Sequence, residues 1–213
     1  MSSTDMKNLK RGLRKKLMMA AVAFVLVLGL LPAYIRAYTL SGLSDAPTLI
    51  LGDRVWVLGG AYDIRIPYTD YVLLTRRQPS LGELVQVASP KNGRLIFKRV
   101  AALPGDRVAM HQHHLRINGK PLAYKATDRA AFGSVSPENH LGSVIETEIL
   151  GAHAHLITFT PESPQSSFAE LLVPPDHFFL LGDNRDQSQD CRDWGPVPRS
   201  RIRGRAVGEP QRP

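Results

Sequence analysis

Beyond residue 38 this chain holds no apolar run with a sustained helical period, and that limits its fold more than any other feature. The apolar segments are short and broken by turn residues. Arg54-Val55-Trp56-Val57-Leu58, Tyr71–Leu74, Glu83–Val87, Arg94–Phe97 and Leu115–Ile117 read as strands, as do Ala154–Phe159 and Phe178–Leu181. Gly52-Asp53, Pro104-Gly105-Asp106 and Asn118-Gly119 are turn signals between them. Asn118-Gly119 should close a hairpin onto Pro121-Leu122. The expected fold class is mostly β. Residues 123–175, rich in Ser, Pro, Glu and Gly with one strand pair, read as a small inserted β lobe.

The N-terminal part is different. Leu17–Ile35 is a run of 19 residues without a charge. As a helix it would reach about 28 Å, close to the hydrocarbon thickness of a bilayer. The expected division is therefore a basic tail at 1–16, a transmembrane anchor at 17–35 and a folded domain at 38–208. A cleavable leader is the competing reading. Its apolar core would be shorter and would end at a small-x-small site. Here Leu31 and Ile35 stand two residues before Ala33 and Ala37 and are too large.

Most of the +8 net charge belongs to the tail, which carries Lys7, Lys10, Arg11, Arg14, Lys15 and Lys16 against Asp5. Positive charge stays on the cytoplasmic side, so the tail is expected inside and the folded domain outside, periplasmic in a Gram-negative cell. The expected partner of this region is the lipid bilayer. The remainder of the chain has no basic stripe with interleaved aromatics, which argues against nucleic acid.

Cys191 is the single cysteine, so an internal disulfide and a cysteine-based zinc site are excluded. His111-Gln112-His113-His114 has no acidic or cysteine partner at helpful spacing. On a strand His111 and His113 would share an exposed polar face, and His153 and His155 read the same way. No metal and no cofactor is expected.

Three segments carry candidate chemistry. Gly182-Asp183-Asn184-Arg185-Asp186-Gln187-Ser188-Gln189-Asp190-Cys191-Arg192-Asp193-Trp194-Gly195 places acids, arginines, Asn and Ser directly after the apolar run Phe178–Leu181. A polar loop at a strand end suits a functional site, although a solvated turn would have the same composition. Ser44-Asp45-Ala46-Pro47-Thr48-Leu49 and Phe97-Lys98-Arg99-Val100-Ala101-Ala102-Leu103-Pro104-Gly105-Asp106 are the other two. A serine needs a neighbouring base to act as a nucleophile. A lysine can be that base only when neutral, which burial in apolar surroundings favours. On a strand Lys98 shares its face with Ile96 and Val100, which could lay it against the core. Beside Arg99, read as exposed, it could equally be a surface cation.

In this order the three segments resemble those of type I signal peptidases, membrane-bound serine proteases that remove secretory leader sequences. The resemblance runs from about residue 17 to 208. It implies a barrel-like β fold and a Ser44/Lys98 dyad acting on signal-peptide-bearing preproteins through an acyl-enzyme. It also implies that Ser188 orients Lys98, that Asp190 and Arg192 form a supporting ion pair, and that Asp183 and Asn184 shape the loop beneath the site. The Ser44 N–H would help hold the oxyanion. Apolar pockets near Ile96 would favour small side chains before the cut. A specialised conjugation- or secretion-system processing peptidase, or a tethered peptide-binding protein without activity, are the alternatives.

Three positions depart from the pattern. Gly42 stands where many relatives carry a hydroxyl that donates to the oxyanion, leaving Ser41 or Thr39 as substitutes. Glu83 replaces an Asp. Asp45 replaces the Met that usually follows the nucleophile. Were its carboxylate near Lys98, it would favour the ammonium form. Strand alternation would instead point it away.

Overall fold

The computed structural model describes residues 3–67, 69–127, 143–163 and 167–211. In chain order the elements are α1 (Ser3–Tyr34), β1 (Ile35–Thr39), β2 (Arg54–Leu58), β3 (Asp63–Arg65), β4 (Val72–Thr75), β5 (Leu84–Ala88), β6 (Leu95–Ala102), β7 (Arg107–His111) and β8 (His114–Ile117). There follow β9 (Lys120–Pro121), β10 (Ala123–Ala126), β11 (Val144–Leu150), β12 (His153–Phe159), β13 (Phe168–Leu172), β14 (His177–Leu181), α2 (Cys191–Trp194), β15 (Val197–Pro198) and β16 (Ile202–Gln211). The fold is mostly β.

The main sheet has the order β1-β2-β16-β5-β6-β14-β15. Its second strand β2 alternates, with Val55 and Val57 inward and Trp56 outward, as a half-buried strand should. The inner strand β6 is buried on both faces from Phe97 to Ala102. Lys98 and Arg99 are thus carried into the interior by a strand whose other positions are apolar. Two hydrophobic clusters flank this sheet. The larger gathers Val85, Val100, Val108, Leu115, Phe178 and Phe179 among others. The smaller gathers Leu40, Leu49, Val55, Val57 and Phe97.

The excursion differs from the single strand pair expected. It builds a three-stranded sheet, β10-β11-β12, and its last strand, β13, pairs with β7 in a four-stranded sheet β13-β7-β8-β9. The sequence Val-Ile-Glu-Thr-Glu-Ile-Leu of β11 concealed a strand because Glu148 is buried in it. The Asn118-Gly119 hairpin is present, with Arg116 opposite Pro121.

The histidine expectation is also corrected. Gln112 and His113 have φ of 49° and 68°, so they form the turn between β7 and β8 and not a continuous strand. His113 is buried and stacks on Phe159 with ring centroids 4.4 Å apart, whereas His111 stays exposed.

α1 covers Leu17 to Tyr34 of the uncharged run, with Pro32 in its last turn. Many of its apolar side chains, among them Leu17, Met18, Met19, Phe24 and Val25, are exposed. Among the described residues no helix is long and apolar enough to cross a membrane. The helix end is tied to the domain. Gly59 N–H donates to the Tyr34 carbonyl at 2.7 Å, and the Tyr34 hydroxyl donates to the Arg65 carbonyl at 2.6 Å.

Candidate active site

The loop after β14 is fixed from both sides before any reactive group is considered. Gly182 N–H donates to Asp190 Oδ2 at 3.0 Å. Asp190 also caps α2, accepting from the Arg192 N–H, while the Asp193 carboxylate accepts from the Asp190 N–H. The Arg192 side chain closes on the same carboxylate, Nε to Oδ1 and Nη2 to Oδ2, both at 2.9 Å. Burial alone would raise the Asp190 carboxyl, but Arg192 and the Gly182 N–H outweigh it and hold it below the ordinary carboxylate range.

The Ser44 segment is joined to this loop through the backbone. Asn184 N–H donates to the Ser44 carbonyl at 3.0 Å. A Cβ on Gly182 would lie 2.1 Å from Ser188 Oγ and 2.5 Å from the Ser44 carbonyl oxygen. Only glycine allows the loop to pass between them. Ser188 is buried at 3% exposure. Its hydroxyl abuts the Asp190 carboxylate, which it helps keep ionised. It meets no partner with full hydrogen-bond geometry among the described residues, Lys98 included.

Lys98 is 1% exposed and lies opposite Val85 in the neighbouring strand. Arg99, read from sequence as exposed, is buried. Its Nε and Nη2 donate to the two oxygens of Asp183 at 2.8 and 2.6 Å, and its Nη1 donates to the Gly82 carbonyl at 2.8 Å. Burial alone would raise Asp183, but Arg99 and then His155 outweigh it and lower it. The strand bearing Lys98 and the signature loop are therefore locked by a two-point ion pair.

Asp45 does not point away from Ser44. Its Oδ2 accepts the Ser44 hydroxyl at 2.8 Å. The segment from Ser44 to Leu49 is a turn and not a strand, so its neighbouring side chains do not alternate between faces. Burial pushes the Asp45 carboxyl up to about 6; the Lys98 charge opposes this and Asp183 adds to it. Asp45 thus lies within electrostatic reach of both Lys98 and the signature loop.

Behind the loop lies a set of groups that sequence reasoning missed. Arg185 is buried and donates through Nη2 to both oxygens of Glu148 at 2.8 Å. The Tyr124 hydroxyl donates to Glu148 Oε1 at 2.6 Å. His155, expected on an exposed face, is buried with Nε2 3.1 Å from Glu148 Oε2 and 3.8 Å from Asp183 Oδ1. Burial would raise Glu148, but Arg185 and His155 outweigh it and lower it strongly. The inserted lobe therefore reaches Asp183 through His155. The alternation of His with Ala in β12 was the available signal, since it places His155 and Ile157 on one face.

Cys191 is buried, and burial pushes its thiol up to about 12. It accepts from the Leu180 N–H at 3.1 Å, so it serves packing. Glu83, the other departure read from sequence, accepts from Arg77 at 2.7 Å and from the Tyr62 hydroxyl at 2.8 Å.

The three motif segments thus converge on one buried polar centre beside β6 and the end of β14. The family described as signal peptidase, peptidase S26, matches residues 13–208. The chain belongs to that family. A signal peptidase I from Pseudomonas aeruginosa is 31% identical over 182 residues, covering 76% of this chain and 60% of its own length. One from Aquifex aeolicus is 26% identical over 223 residues, covering 91% and 82%. The chain thus spans about 60% of the length of the Pseudomonas relative. A solved signal peptidase I from Enterococcus faecalis shares 26% identity with a TM-score of 0.39, over 62% of this chain and 98% of that one.

Proposed function

We propose that this chain is a membrane-bound serine endopeptidase that removes N-terminal signal peptides from exported preproteins. The observation that carries this reading is the meeting of Ser44, Ser188 and Gly182 at one point, with Lys98 buried in the adjoining strand.

In this mechanism the neutral amine of Lys98 takes the Ser44 hydroxyl proton as Oγ bonds to the scissile carbonyl carbon. The Ser44 N–H donates to the developing oxyanion. The tetrahedral intermediate collapses, the C–N bond breaks, and the leaving amine takes the proton from the Lys98 ammonium. The acyl-enzyme remains on Ser44. Water then gives a proton to Lys98 and attacks the ester carbonyl. Ser44 recovers that proton as it leaves, and the freed peptide ends in a carboxylate. Ser188, Asp190, Arg192, Asp183 and Asn184 hold this geometry. No metal or organic cofactor enters any step.

The uncharged run of α1 is proposed as the anchor, with the basic tail cytoplasmic. A neighbouring feature supports a membrane-facing position. β4 exposes Val72, Leu73 and Leu74, and Tyr71 just before it is also exposed. Its partner strand β3 contains Arg65, whose carbonyl accepts from Tyr34 at the helix end. Tyr and apolar groups beside arginines suit the bilayer interface.

A processing peptidase with few substrates is the second reading, favoured by the buried carboxylate of Asp45 beside the nucleophile. A panel of preproteins incubated with the purified full chain, next to Ser44→Ala, separates the two. General cleavage after Ala-x-Ala supports the first reading, and cleavage of one or two proteins supports the second. Preference for a large or charged residue directly before the cut would contradict both.

A further inference from the structure

Asp45 has no part in the serine/lysine reaction, yet it is the partner of the nucleophile. Its Oδ2 holds the Ser44 hydroxyl at 2.8 Å. Its Oδ1 is shielded from solvent and meets no donor among the described residues. A serine hydroxyl has one proton to donate. While that proton is directed at Asp45 it is not directed at the amine of Lys98.

The surrounding charges give this contact a consequence. Lys98 and Arg99 from β6 and Asp183 from the signature loop all act on Asp45. Behind them, Glu148 pairs with Arg185, and His155 stands between Glu148 and Asp183. With Lys98 and His155 neutral, Asp45, Asp183 and Glu148 oppose only Arg99 and Arg185. Uncompensated buried charge is costly, so this interior favours one further proton. Burial pushes Asp45 to about 6, which makes it one candidate holder of that proton. The amine of Lys98, which acts on the same carboxylate, is the base that the proposed function requires.

We propose that Asp45 is a positioning residue of the nucleophile. Its ionised carboxylate holds the Ser44 proton and the ammonium state of the site, so its charge helps set the pH at which Ser44 becomes reactive. This rests on Ser44 as nucleophile and Lys98 as its base. Removing the charge weakens the hold on the hydroxyl and takes away the anion that balances the ammonium. The neutral amine is then reached at lower pH. Asn keeps an acceptor for the hydroxyl and loses the charge, whereas Met loses both. Glu keeps both.

The test measures acylation of Ser44 by a small activated ester, acetyl-alanine p-nitrophenyl ester. It uses the full chain in detergent, across acidic to basic pH. The p-nitrophenol burst gives the rate, and peptide mass mapping locates the acyl group. In Asp45→Asn and Asp45→Met the acid-side limb should move to lower pH by roughly one unit, about a tenfold gain at its foot. Asp45→Glu should keep the wild-type limb. Should the Met variant fail to fold, the isosteric Asn variant decides. An unchanged or upward-moved limb in Asp45→Asn overturns the proposal, as does the absence of Ser44 acylation in every variant. Preprotein cleavage is followed in parallel. A shifted limb with no preprotein cut leaves the role of Asp45 standing and removes the leader-peptide reading. Cleavage with an unchanged limb removes only the role of Asp45.

Discussion

Arg99 and Asp183 are joined by two hydrogen bonds, 2.8 and 2.6 Å long, across 84 positions of the chain. The pair lies directly beside Lys98 in β6 and one residue beyond Gly182 in the signature loop. Both partners are buried. Removing one leaves the other charge unpaired in the interior, which costs about 3–5 kcal/mol. Asp183→Ala should therefore unfold at markedly lower urea than wild type and lose activity. A double variant replacing both residues with apolar ones should recover much of the stability but not the activity. Urea titration of the three proteins checks this; additive losses in the double variant would contradict the pairing.

A second prediction concerns pH and stability. The Asp45 carboxyl is raised by burial to about 6 from an ordinary 3.8. A raised acid stabilises the fold fully below its unfolded value, and that contribution is lost as pH rises through the folded one. Asp45→Asn should thus be more stable than wild type at neutral pH, by up to about 3 kcal/mol, with the advantage shrinking as pH falls through about 6 and gone below about pH 4. Glu148 behaves oppositely. Its carboxyl is lowered, so its contribution is present above the unfolded value and is lost as pH falls. Glu148→Gln should be less stable than wild type at neutral pH and approach it in acid. Thermal unfolding across pH checks both signs.

Much of the architecture was legible from period and punctuation. The strands at Arg54–Leu58, Glu83–Val87 and Phe178–Leu181 each appear within a residue of their apolar runs. The short apolar runs left little room for a helix after α1. What was not legible depended on tertiary pairing. Glu146 and Glu148 disguised β11 because acids in a strand read as solvent-facing residues; the burial of Glu148 depends on Arg185, distant in sequence. The burial of His155 and Arg99 is hidden for the same reason, since His155 depends on Glu148 and Asp183 and Arg99 on Asp183, all distant or unreadable as partners in the sequence. Lys98 could be placed against the core from its strand neighbours, but its context came from family resemblance. Of the two placements open for Asp45, the one near Lys98 holds, because Ser44 to Leu49 form a turn in which strand alternation has no force.

Gly182 offers a sharp steric test. In Gly182→Ala the new methyl carbon would sit 2.1 Å from Ser188 Oγ and 2.5 Å from the Ser44 carbonyl oxygen, the latter a backbone atom. The loop must shift, and displacements of about 1 Å at a catalytic centre cost on the order of a hundredfold in rate. The expected result is a folded protein with at least that loss in acylation rate. Unchanged rates would show that the loop and the Ser44 segment are not in this close register.

The central claim is that Ser44 attacks and Lys98 is its base. The most direct measurement is the single-turnover cleavage rate of a preprotein by wild type, Ser44→Ala, Lys98→Ala and Lys98→Arg, each shown to be folded by its unfolding transition. Arginine keeps its charge in a protein and cannot accept the serine proton. All three variants should cut no faster than background, with the Arg variant as inactive as the Ala variant. Near-wild-type turnover by Lys98→Arg would contradict the account, because the amine could not then be the base.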